Sequence, residues 1–113
     1  MTERITPEAA LKKLAAACGQ RYVTMFDHGN LELEFYKPVG ADPQKPHTRD
    51  EVYFVISGTG WFVRDQERQR FGPGEVLYLP AGVPHRFEEF SDDFATWAIF
   101  APAAAGTTQR TST

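Results

Sequence analysis

From Tyr22 to Phe100 the chain is written in short runs of alternating apolar and polar residues, each stopped by Gly, Pro, Asn, Asp or Ser. Runs of about 4–8 residues with period two read as half-buried strands, and their close, regular spacing calls for a sandwich or a barrel. The predicted strands are Tyr22–Phe26, Leu31–Tyr36, Glu51–Ser57, Trp61–Val63, Arg68–Phe71, Glu75–Leu79, Val83–Phe87 and Phe94–Phe100. Between them stand turn signals: Asp27-His28-Gly29-Asn30, Gly58-Thr59-Gly60, Asp65-Gln66-Glu67, Gly72-Pro73-Gly74, Pro80-Ala81-Gly82 and Ser91-Asp92-Asp93. Lys37 to Pro46 holds three prolines and a glycine, which predicts a loop or a bulged approach to the next strand. The fold expected is all-β and antiparallel, with Leu31, Leu33 and Phe35 on one side of their strand and Glu32, Glu34 and Tyr36 on a polar side.

One helix precedes the strands. Thr6 is a capping hydroxyl, Pro7 suits the first helical position, and Glu8 complements the amino-terminal dipole. Ala10, Leu11, Leu14, Ala15 and Cys18 recur at helical spacing, and Gly19 ends the run. The expectation is a helix over about residues 7–18, with its leucines on the body of the domain and Cys18 buried at its end.

A chain of 113 residues suits one domain over 1–113, with a core over about 21–101 and a mobile Ala/Gly/Thr/Ser tail over 102–113. Nine Phe, four Tyr and two Trp within a 42% apolar composition suffice to fill a small barrel. Lys and Arg total 12 against 15 Asp and Glu and do not cluster, which argues against nucleic acid as a partner. No apolar run is long enough for a membrane span. Charges at Glu3, Glu8, Lys12 and Lys13 argue against a signal peptide. Cys18 is the sole cysteine, so the expected location is the reducing cytoplasm.

The chemistry concentrates between Gln44 and Glu89. On a regular strand His47, Arg49, Glu51, Tyr53 and Val55 share a face, so His47 and Glu51 can approach one ion. His85 follows the turn at Pro80 to Gly82. Two neutral imidazoles and a carboxylate make a facial triad that leaves positions open for water or substrate, suited to Fe(II), Mn(II), Ni(II) or Zn(II). A single histidine in a strand is more often a hydrogen-bonded core or surface residue; for His28, in its Gly/Asn turn, that plain role is the expectation.

Gly74, Pro80, Gly82 and His85 match G-x5-P-x-G-x2-H-x3-N, with Glu89 at the Asn position, and His47, Glu51 and Gly58 match the later part of G-x5-H-x-H-x3/4-E-x6-G. In these residues the chain resembles the cupin superfamily over about residues 31–100. The resemblance implies an antiparallel cupin or jelly-roll β-barrel with one short N-terminal helix, a divalent transition metal in its mouth, a small-molecule ligand and a homodimer. Lys45 stands where the family has the first histidine of H-x-H. Three arrangements follow. The site is the triad His47, Glu51 and His85; or Pro46 shifts the strand so that Gln44 supplies a fourth ligand; or Lys45 pairs with Glu51 and no metal binds.

Tyr36, Arg49, Tyr53 and Trp97 are the expected pocket residues. Arg49 either clamps a substrate carboxylate or pairs with Asp50. Phe87, Phe90, Phe94 and Phe100 are assigned to core or dimer interface, and Val52, Phe54 and Ile56 to packing between sheets or subunits. Two functions fit: a metal-dependent dioxygenase- or isomerase-type cupin, in which no separate general base stands out, and a metal-free anion or sugar binding module built on Lys45 and Arg49.

Overall fold

The computed structural model describes residues 4–42 and 48–101. Helix α1 (Pro7–Ala16) is followed by β1 (Tyr22–His28), β2 (Leu31–Tyr36), β3 (Glu51–Ser57), β4 (Gly60–Arg64), β5 (Glu67–Phe71), β6 (Val76–Leu79), β7 (His85–Glu88) and β8 (Ala95–Phe100). The all-β expectation holds, with eight strands in the expected order.

Thr6 caps α1, its Oγ1 accepting from the Ala9 amide at 3.1 Å. The helix ends at Ala16, and the Ala17 amide turns back to the Leu14 carbonyl. Cys18 therefore falls beyond the last turn and is exposed, which corrects its expected burial. Ala10 and half-buried Leu14 carry the contact with the sheet, while Leu11 is exposed. β1 continues through His28, and Gly29 at φ +59° takes the first position of a two-residue turn. His28 is exposed. Among the described residues no helix is long and apolar enough to cross a membrane.

Two sheets form the body. One has the order β1-β2-β8-β3-β6 and the other β5-β4-β7. Residues directly opposite in an antiparallel pair share a face, so the registers define tiers across the inner faces. Glu32, Phe100, Glu51 and Leu79 form one tier on the larger sheet. Glu67, Arg64 and His85 form one on the smaller sheet. Below them come Glu34, Ala98, Tyr53 and Leu77, and Gln69, Phe62 and Phe87. The inner core closes on Tyr53, Val55, Phe62, Phe71, Leu79, Phe87, Phe94 and Phe100. Phe87 is its hub, with ring centroids 4.7 Å from Phe94 and 4.9 Å from Tyr53. Phe90 is partly buried against this cluster.

The polar side of β2 is thus the barrel interior. Its apolar side looks outward, where Phe35 packs with Ala10, Val23 and Ala95 in a second cluster. At the far end of the smaller sheet, Gly58 has φ +87°, and a Cβ there would lie 2.4 Å from Phe94 Cα. Both the backbone conformation and the close approach require glycine at this turn.

Candidate metal centre

Glu51 opens β3 and His85 opens β7, and the two sheets bring these strand starts to the same end of the barrel. His85 Nε2 lies 4.0 Å from Glu51 Oε1. Glu51 is 1% exposed and His85 5%. The turn before β7 sets the imidazole: His85 Nδ1 sits 3.0 Å from the Val83 carbonyl. A proton on Nδ1 donates there and leaves the Nε2 lone pair facing the carboxylate, the arrangement usual for a metal-ligating histidine.

The electrostatics favour a neutral ring. Burial pulls the His85 pKa down, against the Val83 carbonyl and the charge of Asp42. Burial pushes Glu51 up to about 8; the Tyr53 hydroxyl opposes this by hydrogen bonding, and the carboxylates of Glu34 and Asp42 add to it. The surroundings are therefore short of positive charge at the point where a neutral imidazole and a carboxylate meet. That donor set fits a divalent cation, which would relieve the carboxylate without asking the imidazole to protonate.

Further carboxylates brace the site. Asp42 accepts from the Tyr36 hydroxyl with Oδ1 and from the Phe87 amide, two residues beyond His85, with Oδ2 at 2.7 Å. Asp50 accepts from the Ala81 amide at 2.8 Å, and its carbonyl accepts from the Ala101 amide at 3.0 Å. The segments on either side of residues 43–47 are thereby bonded to β7 and to the turn that precedes it. Glu34 lies on the inner face with a pKa pushed up to about 7, chiefly by burial and then by the neighbouring Glu32.

A family model described as a cupin domain matches residues 32–100. The chain belongs to the cupin family. An uncharacterized protein of Streptomyces coelicolor is 44% identical to this cupin over 89 residues, 77% of this chain and 85% of that protein. Acireductone dioxygenase 2 of Oryza sativa subsp. indica is 34% identical over 91 residues, 74% of this chain and 46% of the plant protein. The cupin thus spans about half the length of the dioxygenase it matches. Among solved structures, a Cupin 2 conserved barrel domain protein from Salinispora arenicola superposes with a TM-score of 0.67 at 22% identity, covering 92% of this chain and 91% of that one. That likeness is one of fold.

Of the residues singled out from the sequence, this cupin brings Glu51, Tyr53 and His85 together. Gln44, Lys45 and His47 lie outside the described residues. Among the described residues no group of three His, Cys, Asp or Glu side chains could hold a metal ion. Tyr53 is completely buried, edge-on to Phe62 and beside the His85 ring, so it forms the floor of the site rather than an accessible wall. Tyr36 faces inward with its hydroxyl engaged by Asp42. Arg49 pairs with Glu32: its Nη1 lies 2.6 Å from Glu32 Oε1, and its guanidinium sits 4.4 Å from the Phe100 ring centre. Trp97 lies on the outer face, edge-on to Phe35 at 5.6 Å and against the cluster that α1 covers, away from the barrel mouth. Parity explains this, since Trp97 is one residue from inward-facing Ala98.

Asp42, Glu34 and Arg64 escaped the sequence reading. Asp42 sat in a Pro/Gly loop with no period to place it. Glu34 looked like the solvent side of an amphipathic strand. Arg64 fell between the predicted strand Trp61–Val63 and a turn; only its pairing opposite His85 marks it.

Proposed function

We propose that this cupin binds one divalent transition metal through His47, Glu51 and His85, with Gln44 as a fourth donor, and acts on a small polar organic molecule at the barrel mouth. The observation that carries the reading is the buried approach of His85 Nε2 to Glu51 Oε1 at 4.0 Å, with Nδ1 turned to the Val83 carbonyl. Iron, manganese, nickel and zinc all suit imidazole and carboxylate donors. When bound, such an ion supplies Lewis acidity and, with iron, oxygen chemistry.

The chain's own residues orient and shield. The Val83 carbonyl, 3.0 Å from Nδ1, orients the His85 ring. Tyr53, Phe62 and Phe87 exclude water from beneath the site. Arg49 keeps Glu32 ionised, while Glu34 beside it can hold a proton on the inner face. A dioxygenase- or isomerase-type reaction fits such an ion, and the likeness to the acireductone dioxygenases supports the first. The rival metal-free anion module is weakened by the engagement of Arg49 with Glu32. The same proposal makes the protein a cytoplasmic homodimer joined through the outer faces of β3 and β6, where Phe54, Val76 and Tyr78 are exposed.

Elemental analysis of tag-free protein beside His47→Ala tests the reading. The expected result is about one equivalent of a transition metal, lost in the variant. No metal after reconstitution with Fe(II), Mn(II), Ni(II) and Zn(II), or equal metal in both proteins, would overturn it.

A further inference from the structure

Arg64 stands directly opposite His85 in the β4–β7 register, so the two side chains share the inner face of the smaller sheet. Its guanidinium reaches across to the larger sheet and donates to the Tyr78 carbonyl at 2.9 Å. On its other side Glu67 Oε1 lies 3.7 Å away. This is a loose ion pair between side chains 38% and 71% exposed. Pairs of that kind contribute little. Arg49, two residues before Glu51, is paired with Glu32 at 2.6 Å. Arg64 has donors to spare, since a guanidinium carries five N–H groups and its one close bond among the described residues is that to the Tyr78 carbonyl.

Beside Arg64 is a cavity of about 130 Å³ between the β4–β5 hairpin and β6. Arg64, Glu67 and Gln69 give it polar groups, and Phe62, Leu77 and Tyr78 give it apolar walls. Phe62, Arg64, Glu67, Gln69 and Leu77 all belong to the inner-face tiers set by the registers. The space is large enough for several waters, or for the end of a small organic molecule. One apolar floor, one guanidinium and one amide suit a short carboxylate with a small hydrocarbon part.

We propose that this cavity binds the carboxylate end of a small organic acid, with Arg64 as counter-charge and Gln69 as second donor. The ligand's carboxylate takes the place of Glu67 at the guanidinium. Arg64 is therefore the residue that selects anionic over neutral ligands. The cavity stands on its own residues; that its occupant is the molecule acted on rests on the metal-site reading given above.

The test is a 1H–15N titration of the full chain with acetate and, as the neutral isostere, acetamide. It is run as purified and again after chelation, with metal content measured on the same samples. The expected result is acetate-dependent shifts at Phe62, Arg64, Gln69 and Leu77 in both samples, and none with acetamide. Arg64→Ala weakens acetate at least about tenfold, as loss of a charge-assisted bidentate contact should. Arg64→Lys recovers only part, because an ammonium lacks the planar fork. Glu67→Gln tightens binding by removing the competing carboxylate, a gain that a poorly folded variant would not give. Arg86→Ala, whose side chain is engaged on the outer face with Glu88, leaves acetate binding unchanged. Equal responses to acetate and acetamide, no shifts at these four residues, or equal losses in Arg64→Ala and Arg86→Ala would overturn the proposal. Shifts seen only with metal present would place the anion on the ion and not on Arg64, overturning it also. Acetate binding in protein that never takes up metal would retain the cavity and sink the metal reading alone.

Discussion

Glu51 Oε1 and His85 Nε2 face each other at 4.0 Å in a site almost closed to solvent, although 34 residues separate them in the chain. Neither group gains a full ion pair from the other, because burial holds the imidazole neutral and raises the carboxyl to about 8. The arrangement costs the metal-free fold stability that bound metal would return.

Glu51→Gln separates these two effects. Near pH 7 the folded metal-free protein keeps Glu51 protonated while the unfolded chain ionises it, a cost on the order of 3 kcal/mol. The isosteric amide removes that cost. Metal-free Glu51→Gln should melt at least about 3 °C above the parent, by scanning calorimetry in chelator. It should also lose the rise in Tm that zinc gives the parent. A variant that melts lower without metal, or that keeps the zinc response, would contradict the account.

Glu34 predicts a pH dependence. Its folded pKa is raised from 4.5 to about 7, so between those values the folded state holds a proton that the unfolded state has released. Stability from this group is therefore present below about pH 4.5 and lost as pH rises towards 7. Glu51 acts in the same direction up to about 8. In Glu34→Gln the fall in Tm between pH 5 and 7 should be shallower than in the parent, both metal-free. Parallel curves would show that Glu34 titrates normally.

Glu89 occupies the left-handed region at φ +49°, where side chains other than Asn and Gly are strained. It stands where the family pattern has Asn. Its contact with Arg68, 3.4 Å long and largely exposed, is weak compensation. Glu89→Asn should raise stability by about 1 kcal/mol, read from the urea midpoint at unchanged slope. A lower midpoint would falsify the assignment of strain.

Strand identity was legible because it rests on neighbours in sequence: alternation marked β2, a β-branched and aromatic run marked β3, and Gly/Pro clusters marked the turns. Helix α1 was legible from its cap, but its end was overrun because Cys18 kept the apolar spacing that Ala17 had already broken in the backbone. The candidate metal ligands stand out by their spacing within two motifs. Facing was harder. At β2 both sides of the larger sheet are covered, so alternation on that strand separated two faces without saying which was inside.

The sequence by itself determined the number and order of strands, the turn glycines and the two motifs that carry Glu51 and His85. These follow from local sterics and from side-chain period, both of which act over a few residues. The tertiary structure alone decided that Glu32, Glu34 and Tyr36 point inward, that Trp97 points outward, that Arg49 is spent on Glu32, and that Arg64 stands beside His85. Those are pairings between strands far apart in the chain. They are set by sheet register and by which face finds the larger apolar partner, and no local pattern encodes either.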